Sequence, residues 1–226
     1  MQSLRIDVIV PAAGVGKRMR LNIPKQYAVI SKKTVLEHTV QSLLSSPYVN
    51  KVIIGISPQD EYFSSINWPD ESRIVKGFGG TERSDTVRLN LPLVSTDYVM
   101  VHDAARPMLV KEDIEALAEV AKKQADGAIL ACKVADTLKE VKDGVIVKTV
   151  PREHIYRAYT PQLFRTEYLL AALEYAYANN LAITDDASAM ELTGHKVQIV
   201  EGRADNFKLT TPEDLMLARL LLEMKE

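Results

Sequence analysis

Directly behind the apolar run at 6–10, the chain reads PAAGVGKRMRLNIPK over residues 11–25. A β-branched run followed at once by small residues, two glycines and several cations builds a strand, a tight loop and a charged exit. Ala12, Ala13, Gly14 and Gly16 leave the backbone open to close approach, and Lys17, Arg18, Arg20 and Lys25 put positive charge beside it. Such a stretch suits a group carrying several phosphates. Neither common phosphate loop is present: GxGxxG would need a third glycine where Met19 stands, and the P-loop would need Gly-Lys followed by Ser or Thr. An ordinary strand-to-helix turn with surface cations fits the same residues, so the loop alone leaves both readings open.

A second polar stretch, His102-Asp103-Ala104-Ala105-Arg106-Pro107, follows the short apolar run at 98–101. Open parallel sheets bind ligands at the carboxyl ends of their strands, so both stretches point to one edge. Cations recur at such loops: Arg18, Lys25, Arg83, Arg106, Arg152, Arg203 and Lys208. Singly, each is an ordinary solvated charge. Together they suit phosphoryl or nucleotidyl transfer, which needs positioning and charge neutralisation but no protein nucleophile. Acyl transfer is poorly supported, because there is no Gly-x-Ser-x-Gly elbow and the lone Cys132 lies inside the apolar GAILACKV, where it reads as a small core residue. His38, His102, His154 and His195 have no metal-ligand spacing, so no protein metal site is expected, and His102 reads as a packed or positioning residue.

The elements that must position these groups alternate. Helices are expected over 34–45, 111–124, 166–179 and from Thr211-Pro212 to 225, and strands over 51–57, 73–76, 98–101, 127–134 and 196–201. Gly77, Gly79 and Gly80 read as a flexible turn before a helix that Thr81 or Glu82 can start, and residues 59–72, with Trp68, as a loop or short irregular helix in which Trp68 packs. Residues 160–164 read as a connection. Thr184 stands where it can cap a helix with Asp185 and Asp186 in its first turn, a bland alternative to any functional role for the three. Lys142-Asp143-Gly144 between two alternating runs makes 136–159 a β-hairpin inserted into the α/β rhythm, either a protruding arm or lid or a plain edge hairpin. The expected fold is therefore α/β: a three-layer, Rossmann-like sandwich with a mainly parallel sheet and helices on both faces, forming one domain over 1–226.

The chain is 226 residues long with a formal charge of −2, which argues against coating nucleic acid and makes any anion site local. One cysteine excludes an internal disulfide and fits a reducing compartment. The N-terminus lacks the pattern of a signal peptide and no stretch approaches a membrane span, so a cytoplasmic protein without membrane contact is expected.

PAAGVGKRM with PKQY, then GGTERSDTV, VHDAARP, ADTLK, TPQLF, ITDDASA and VEGRADNFKLTTPEDL follow one another as in the 2-C-methyl-D-erythritol 4-phosphate cytidylyltransferase family, and the resemblance covers nearly the whole chain. HDAARP with GRADN-x-K is its most specific part. The related ribitol 5-phosphate cytidylyltransferases share Pro-Lys-Gln but differ at HDAARP, and are the alternative. The resemblance implies a nucleotide-diphospho-sugar transferase fold. It implies transfer of CMP from CTP to methylerythritol phosphate with loss of pyrophosphate, a step of non-mevalonate isoprenoid synthesis, with Mg²⁺ held chiefly by the substrate phosphates. It further implies that Arg18 and Lys25 neutralise the triphosphate cradled by Ala12, Ala13, Gly14 and Gly16. Gly80, Thr81 and Thr86 would read cytosine, and Asp103 with Ala104 would hold the ribose. Arg106, Thr137, Arg152, Thr184, Asp205 and Lys208 would grip methylerythritol phosphate, Arg152 and Lys208 aiming its attacking phosphate. The arm at 136–159 would clasp a second subunit in a homodimer with sites completed across the interface. Thr81 and Thr86 stand where the family often has an acidic residue and Ser.

Overall fold

The computed structural model describes residues 4–14, 16, 19 and 22–224. Lys17, Arg18 and Arg20 of the phosphate-loop reading lie outside the described residues. The chain opens with strand β1 (Ile6–Pro11), a small ribbon of β2 (Val29–Ile30) and β3 (Lys33–Thr34), and helix α1 (Val35–Leu44). Thr34 and Glu37 close a reciprocal capping box at the start of α1. There follow β4 (Val49–Ile56), β5 (Ile74–Phe78), α2 (Arg83–Asn90), β6 (Tyr98–Val101), α3 (Lys111–Lys122) and β7 (Gly127–Lys133). The second half holds β8 (Leu138–Lys142), β9 (Val145–Val150), β10 (Tyr156–Arg165), α4 (Thr166–Ala178), α5 (Asp186–Leu192), β11 (Val197–Glu201) and α6 (Pro212–Glu223).

Seven strands make one sheet in the order β11-β7-β10-β6-β1-β4-β5, and β10 alone runs against the rest. Side chains alternate across it. Ile6, Val8 and Val10 of β1 pack with Leu36, Val40 and Leu43 of α1 and with Ile114, Leu117 and Ala118 of α3. Ile9, Ile53, Val99 and Val101 face the other way, onto Val87 of α2, Leu169 and Leu173 of α4 and Met190 of α5. The period-two alternation of each strand thus supplies two apolar faces, and helices cover both. A third cluster joins Ile30, Val35, Ala105 and Met108 to Leu209 and to Ala218 of α6. It matters for the site, because it brings the stretch at 208–209 against the loop that leaves β6, with Leu209 N–H donating to Ala105 C=O at 2.8 Å.

Three readings of the sequence need correction. Residues 160–164 are not a connection: they belong to β10, the antiparallel strand between β6 and β7. Its pairing with β7 is irregular between Ala158 and Gln162, where Pro161 sits, and a residue with no N–H to donate is tolerated in a strand at such a break. Gly77 belongs to β5 rather than to a turn; a Cβ there would lie 2.1 Å from Asn90 Oδ1, and Asn90 ties α2 to this strand by accepting from Phe78 N–H and donating to Phe78 C=O. The cap of α5 is Asp185, not Thr184: the Asp185 carboxylate accepts from Ser188 N–H while the Ser188 hydroxyl accepts from Asp185 N–H. Trp68 packs against Phe63, as expected, whereas Cys132 is only half-buried against the core.

The hairpin of β8 and β9 turns at Asp143 (φ 50°) and Gly144 (φ 80°), the pair of positive φ values that a tight two-residue turn of matching twist requires. Val141, Val145, Ile146 and Val147 on it are all more than half exposed. No helix among the described residues is long and apolar enough to cross a membrane.

Candidate active site

A cleft of about 250 Å³ opens at the carboxyl ends of β1 and β6, and its lining includes Ala12, Ala13, Gly14, Gly16, Lys25, Gly80, Thr81, Thr86, Asp103, Ala104 and Lys208. Of the candidate residues, these are the ones the fold brings together in the lining, with Arg106 against Asp103 beside them. The first wall is the loop behind β1. Ala12 N–H already donates to Gly55 C=O at 2.8 Å, so the part of the loop open to a ligand begins at Ala13. Gln26 holds the loop from behind, its Nε2 donating to Ala12 C=O at 2.6 Å. Gly16 has φ +64°, and a Cβ there would lie 2.8 Å from Lys25 Cγ. The glycine therefore lets the aliphatic stem of Lys25 lie against the loop. Beyond the stem, Lys25 Nζ donates to Leu209 C=O at 2.9 Å, which sets the ammonium beside Lys208.

The second wall is the turn between β5 and α2. The Thr86 hydroxyl accepts from Gly80 N–H at 2.9 Å and reaches Glu82 C=O at 3.2 Å, so this buried side chain braces the Gly80 to Glu82 turn. A Cβ on Gly80 would lie 2.4 Å from Asp85 Cβ.

Asp103 is the electrostatic centre. Its Oδ1 accepts from Arg83 Nε at 2.9 Å, and its Oδ2 meets Lys208 Nζ at 3.0 Å and Arg106 Nε at 3.2 Å. Burial alone would raise this carboxyl, but Arg83, Lys208 and Arg106 hold it well below the usual carboxylate range. Arg106 is fixed in turn, with Nη1 donating to Asn206 C=O at 2.8 Å and its guanidinium over the Tyr159 ring. Beneath this loop His102 is fully buried. Its Nε2 lies 3.1 Å from Arg106 C=O, which can only accept, so the proton is on Nε2. Nδ1 then accepts from the Thr160 hydroxyl at 3.0 Å, and the Thr160 oxygen accepts from Asp103 N–H at 3.0 Å. His102 is thus packed beneath the loop with both ring nitrogens engaged. Burial pushes its pKa down from 6.5 to about 4. An unfolded histidine binds its proton near pH 6.5 and the folded one does not until about pH 4, so folded stability falls as pH drops through that window. The acid limb between those values is expected to flatten in His102→Gln, read as melting temperature against pH; an unchanged limb would show that His102 is not its source.

The remaining candidates lie apart from the cleft lining. Thr137 and Arg152 are exposed residues beside the hairpin of β8 and β9, Arg152 Nη1 donating to Ala135 C=O. Asp205 pairs with Arg203. Thr184 lines a separate, larger cavity of about 500 Å³ that shares Glu82 and Arg83 with the cleft. That cavity is larger but lacks Lys25, Lys208 and the glycine loop, which line the smaller one. The bridging role of Arg83 was not legible in the sequence, where it was one cation among several; its partners lie 20 and 103 residues away.

The chain matches the family described as 2-C-methyl-D-erythritol 4-phosphate cytidylyltransferase over residues 6–224. It is 46% identical over 225 residues to a protein of that name from Aliivibrio fischeri, covering 97% of this chain and 94% of the relative. Among solved structures it resembles a 4-diphosphocytidyl-2C-methyl-D-erythritol synthase with a TM-score of 0.84 at 37% identity, covering 97% of this chain and 99% of the other. It also resembles the 2-C-methyl-D-erythritol 4-phosphate cytidylyltransferase from Thermus thermophilus, with a TM-score of 0.82 at 30% identity over 97% and 100% of the two chains. The ribitol 5-phosphate alternative is not favoured by any of these. The chain belongs to the 2-C-methyl-D-erythritol 4-phosphate cytidylyltransferase family, and is a nucleotidyltransferase of the non-mevalonate isoprenoid pathway.

Proposed function

We propose that the cleft transfers CMP from CTP to 2-C-methyl-D-erythritol 4-phosphate, the substrate phosphate attacking the α-phosphorus in line and pyrophosphate leaving. The observation that carries this reading is the convergence of Lys25, Lys208 and the Ala13 to Gly16 loop around Asp103 at the sheet edge. The loop and Lys25, with Arg18, neutralise the charge that builds on the triphosphate. Gly80, Thr81 and Thr86 face cytosine, and Asp103 with Ala104 meets the ribose. Lys208 and Arg106 stand beside Asp103, where they can receive the phosphate of the second substrate, and Asp205 and Thr184 complete that half. No protein nucleophile is needed, because in-line phosphoryl transfer depends on positioning and electrostatics.

Mg²⁺ fits this site as a companion of the triphosphate. Asp103, the buried carboxylate of the cleft, has both oxygens engaged by cations, and no group of three or more potential metal-ligating side chains occurs among the described residues. Phosphate oxygens would supply most of its ligands, and the ion would neutralise charge on the leaving pyrophosphate.

The hairpin supports a homodimer. A two-stranded ribbon is marginal on its own, and this one exposes Val141, Val145, Ile146 and Val147. Clasping a second subunit would bury them and carry Thr137 and Arg152 to the partner's cleft. A dimer is expected by sedimentation at micromolar concentration, and Ile146→Asp should shift it to monomer with about tenfold or greater loss of turnover; a fully active monomer would overturn the arm's role. The half-buried free thiol of Cys132 suits a cytoplasmic, reducing setting.

Pyrophosphate release with CTP and either methylerythritol phosphate or ribitol 5-phosphate tests the reading as a whole. Turnover with the first is expected; turnover with ribitol 5-phosphate alone would sink it.

A further inference from the structure

The two consecutive acids at the start of α5 have separate partners. Asp185 serves its helix and β10: Oδ1 accepts from Ser188 N–H at 3.0 Å and Oδ2 from Gln162 Nε2 at 2.8 Å. Asp186, with a side chain only 1% exposed, accepts from Arg83 Nη1 at 2.8 Å through Oδ2. Its Oδ1 has no hydrogen-bond partner. The same guanidinium gives its Nε to Asp103 Oδ1 at 2.9 Å. One arginine, the first residue of α2, thus bridges a carboxylate in the first turn of α5 and a carboxylate in the loop that leaves β6.

We propose that Asp186 is a positioning residue for the nucleotide half of the cleft, acting through Arg83 on Asp103. This rests on the assignment of Asp103 to the ribose given above. Arg83 lines both the cleft and the larger cavity beside it, so its long side chain has room on either hand. Asp186 anchors one end of the guanidinium, and the planar fork then presents Nε to Asp103 in a fixed direction. Asp103 Oδ2 is drawn toward Lys208 and Arg106, and Arg83 is the counterweight on Oδ1 that keeps the carboxylate from turning toward them. A stability role alone explains Asp186 poorly. A buried carboxylate with one unpartnered oxygen is costly, and burial raises this carboxyl despite the arginine beside it. An apolar side chain would serve helix packing better.

The test is steady-state kinetics on Asp186→Asn, Asp103→Asn, the double variant and Ser188→Ala, with melting temperatures alongside. Asp186→Asn is expected to raise the CTP KM about fivefold, less than the roughly tenfold or more of a charge-assisted hydrogen bond lost to the ligand itself because the loss reaches Asp103 only through Arg83, with kcat and the methylerythritol phosphate KM within about twofold of the parent. In the Asp103→Asn background the same change should have no further effect on the CTP KM, since a residue acting only through Asp103 cannot add to its loss. Ser188→Ala removes the reciprocal partner in the α5 cap without touching Arg83, and should lower the melting temperature while leaving all three constants unchanged. A normal CTP KM in Asp186→Asn, or a full fivefold effect persisting on top of Asp103→Asn, would overturn the inference. A normal CTP KM in Asp103→Asn itself would overturn the ribose assignment, and the inference with it. Should Asp186→Asn fail to fold, Arg83→Lys carries the same expectation, because an ammonium keeps the charge but cannot bridge both carboxylates.

Discussion

Replacing Lys25 by alanine is expected to lower kcat by about a hundredfold or more, the scale found when a preorganised group facing developing transition-state charge is removed. The expectation rests on how the side chain is held. Its stem lies against Gly16, where no Cβ could fit without a 2.8 Å contact, and its ammonium is pinned to Leu209 C=O at 2.9 Å. The charge is therefore in place before the triphosphate arrives, and no reorganisation is required at the moment of transfer. Lys25→Gln separates charge from shape: it can keep the stem and a hydrogen bond to Leu209, and should be nearly as slow as the alanine variant. Because Lys25 is only partly buried, both variants should melt within a few degrees of the parent. Near-normal kcat in a pyrophosphate-release assay would remove Lys25 from the machinery.

The second large effect concerns Asp103. Asp103→Ala should cost about 3–5 kcal/mol of folding stability, because it leaves Arg83, Arg106 and Lys208 crowded together without their common counter-ion. In a chain of this size that corresponds to a fall in melting temperature on the order of 10 °C. Acid should reproduce part of the loss. The folded carboxyl titrates below its unfolded value, so its contribution is complete above about pH 4 and is lost as pH falls further. The limb assigned to His102 lies at higher pH, between 6.5 and about 4, so the two are separable in one series of melts. An Asp103→Ala protein that melts with the parent and keeps its acid limb below pH 4 would show that the three cations do not depend on this carboxylate.

Local sequence revealed the features that depend on a few adjacent residues. The apolar run before the glycine loop, the Thr211 cap, the Asp143-Gly144 turn and the strand leading into HDAARP all rest on short-range preferences of the backbone. The antiparallel β10 was not legible, because Pro161 inside it reads as a break and only pairing with β6 and β7 makes it a strand. The resemblance implied a cytosine-facing hydroxyl at Thr86, but its use as a brace for Gly80 depends on how α2 docks.

The amino-acid sequence by itself determined the alternation of strand and helix, the sheet edge at which the cleft opens, the excess of cations there and, through HDAARP and GRADNFK, the family. Tertiary structure alone decided which cations meet. Arg83, Asp103 and Asp186 lie on α2, the loop that leaves β6 and α5, and no spacing rule joins residues 20 and 103 positions apart. Burial decided their chemistry as well. In water Asp103 and Asp186 would be equivalent carboxylates, but inside the fold one is surrounded by three cations and held ionised, while the other is left with a single arginine and raised.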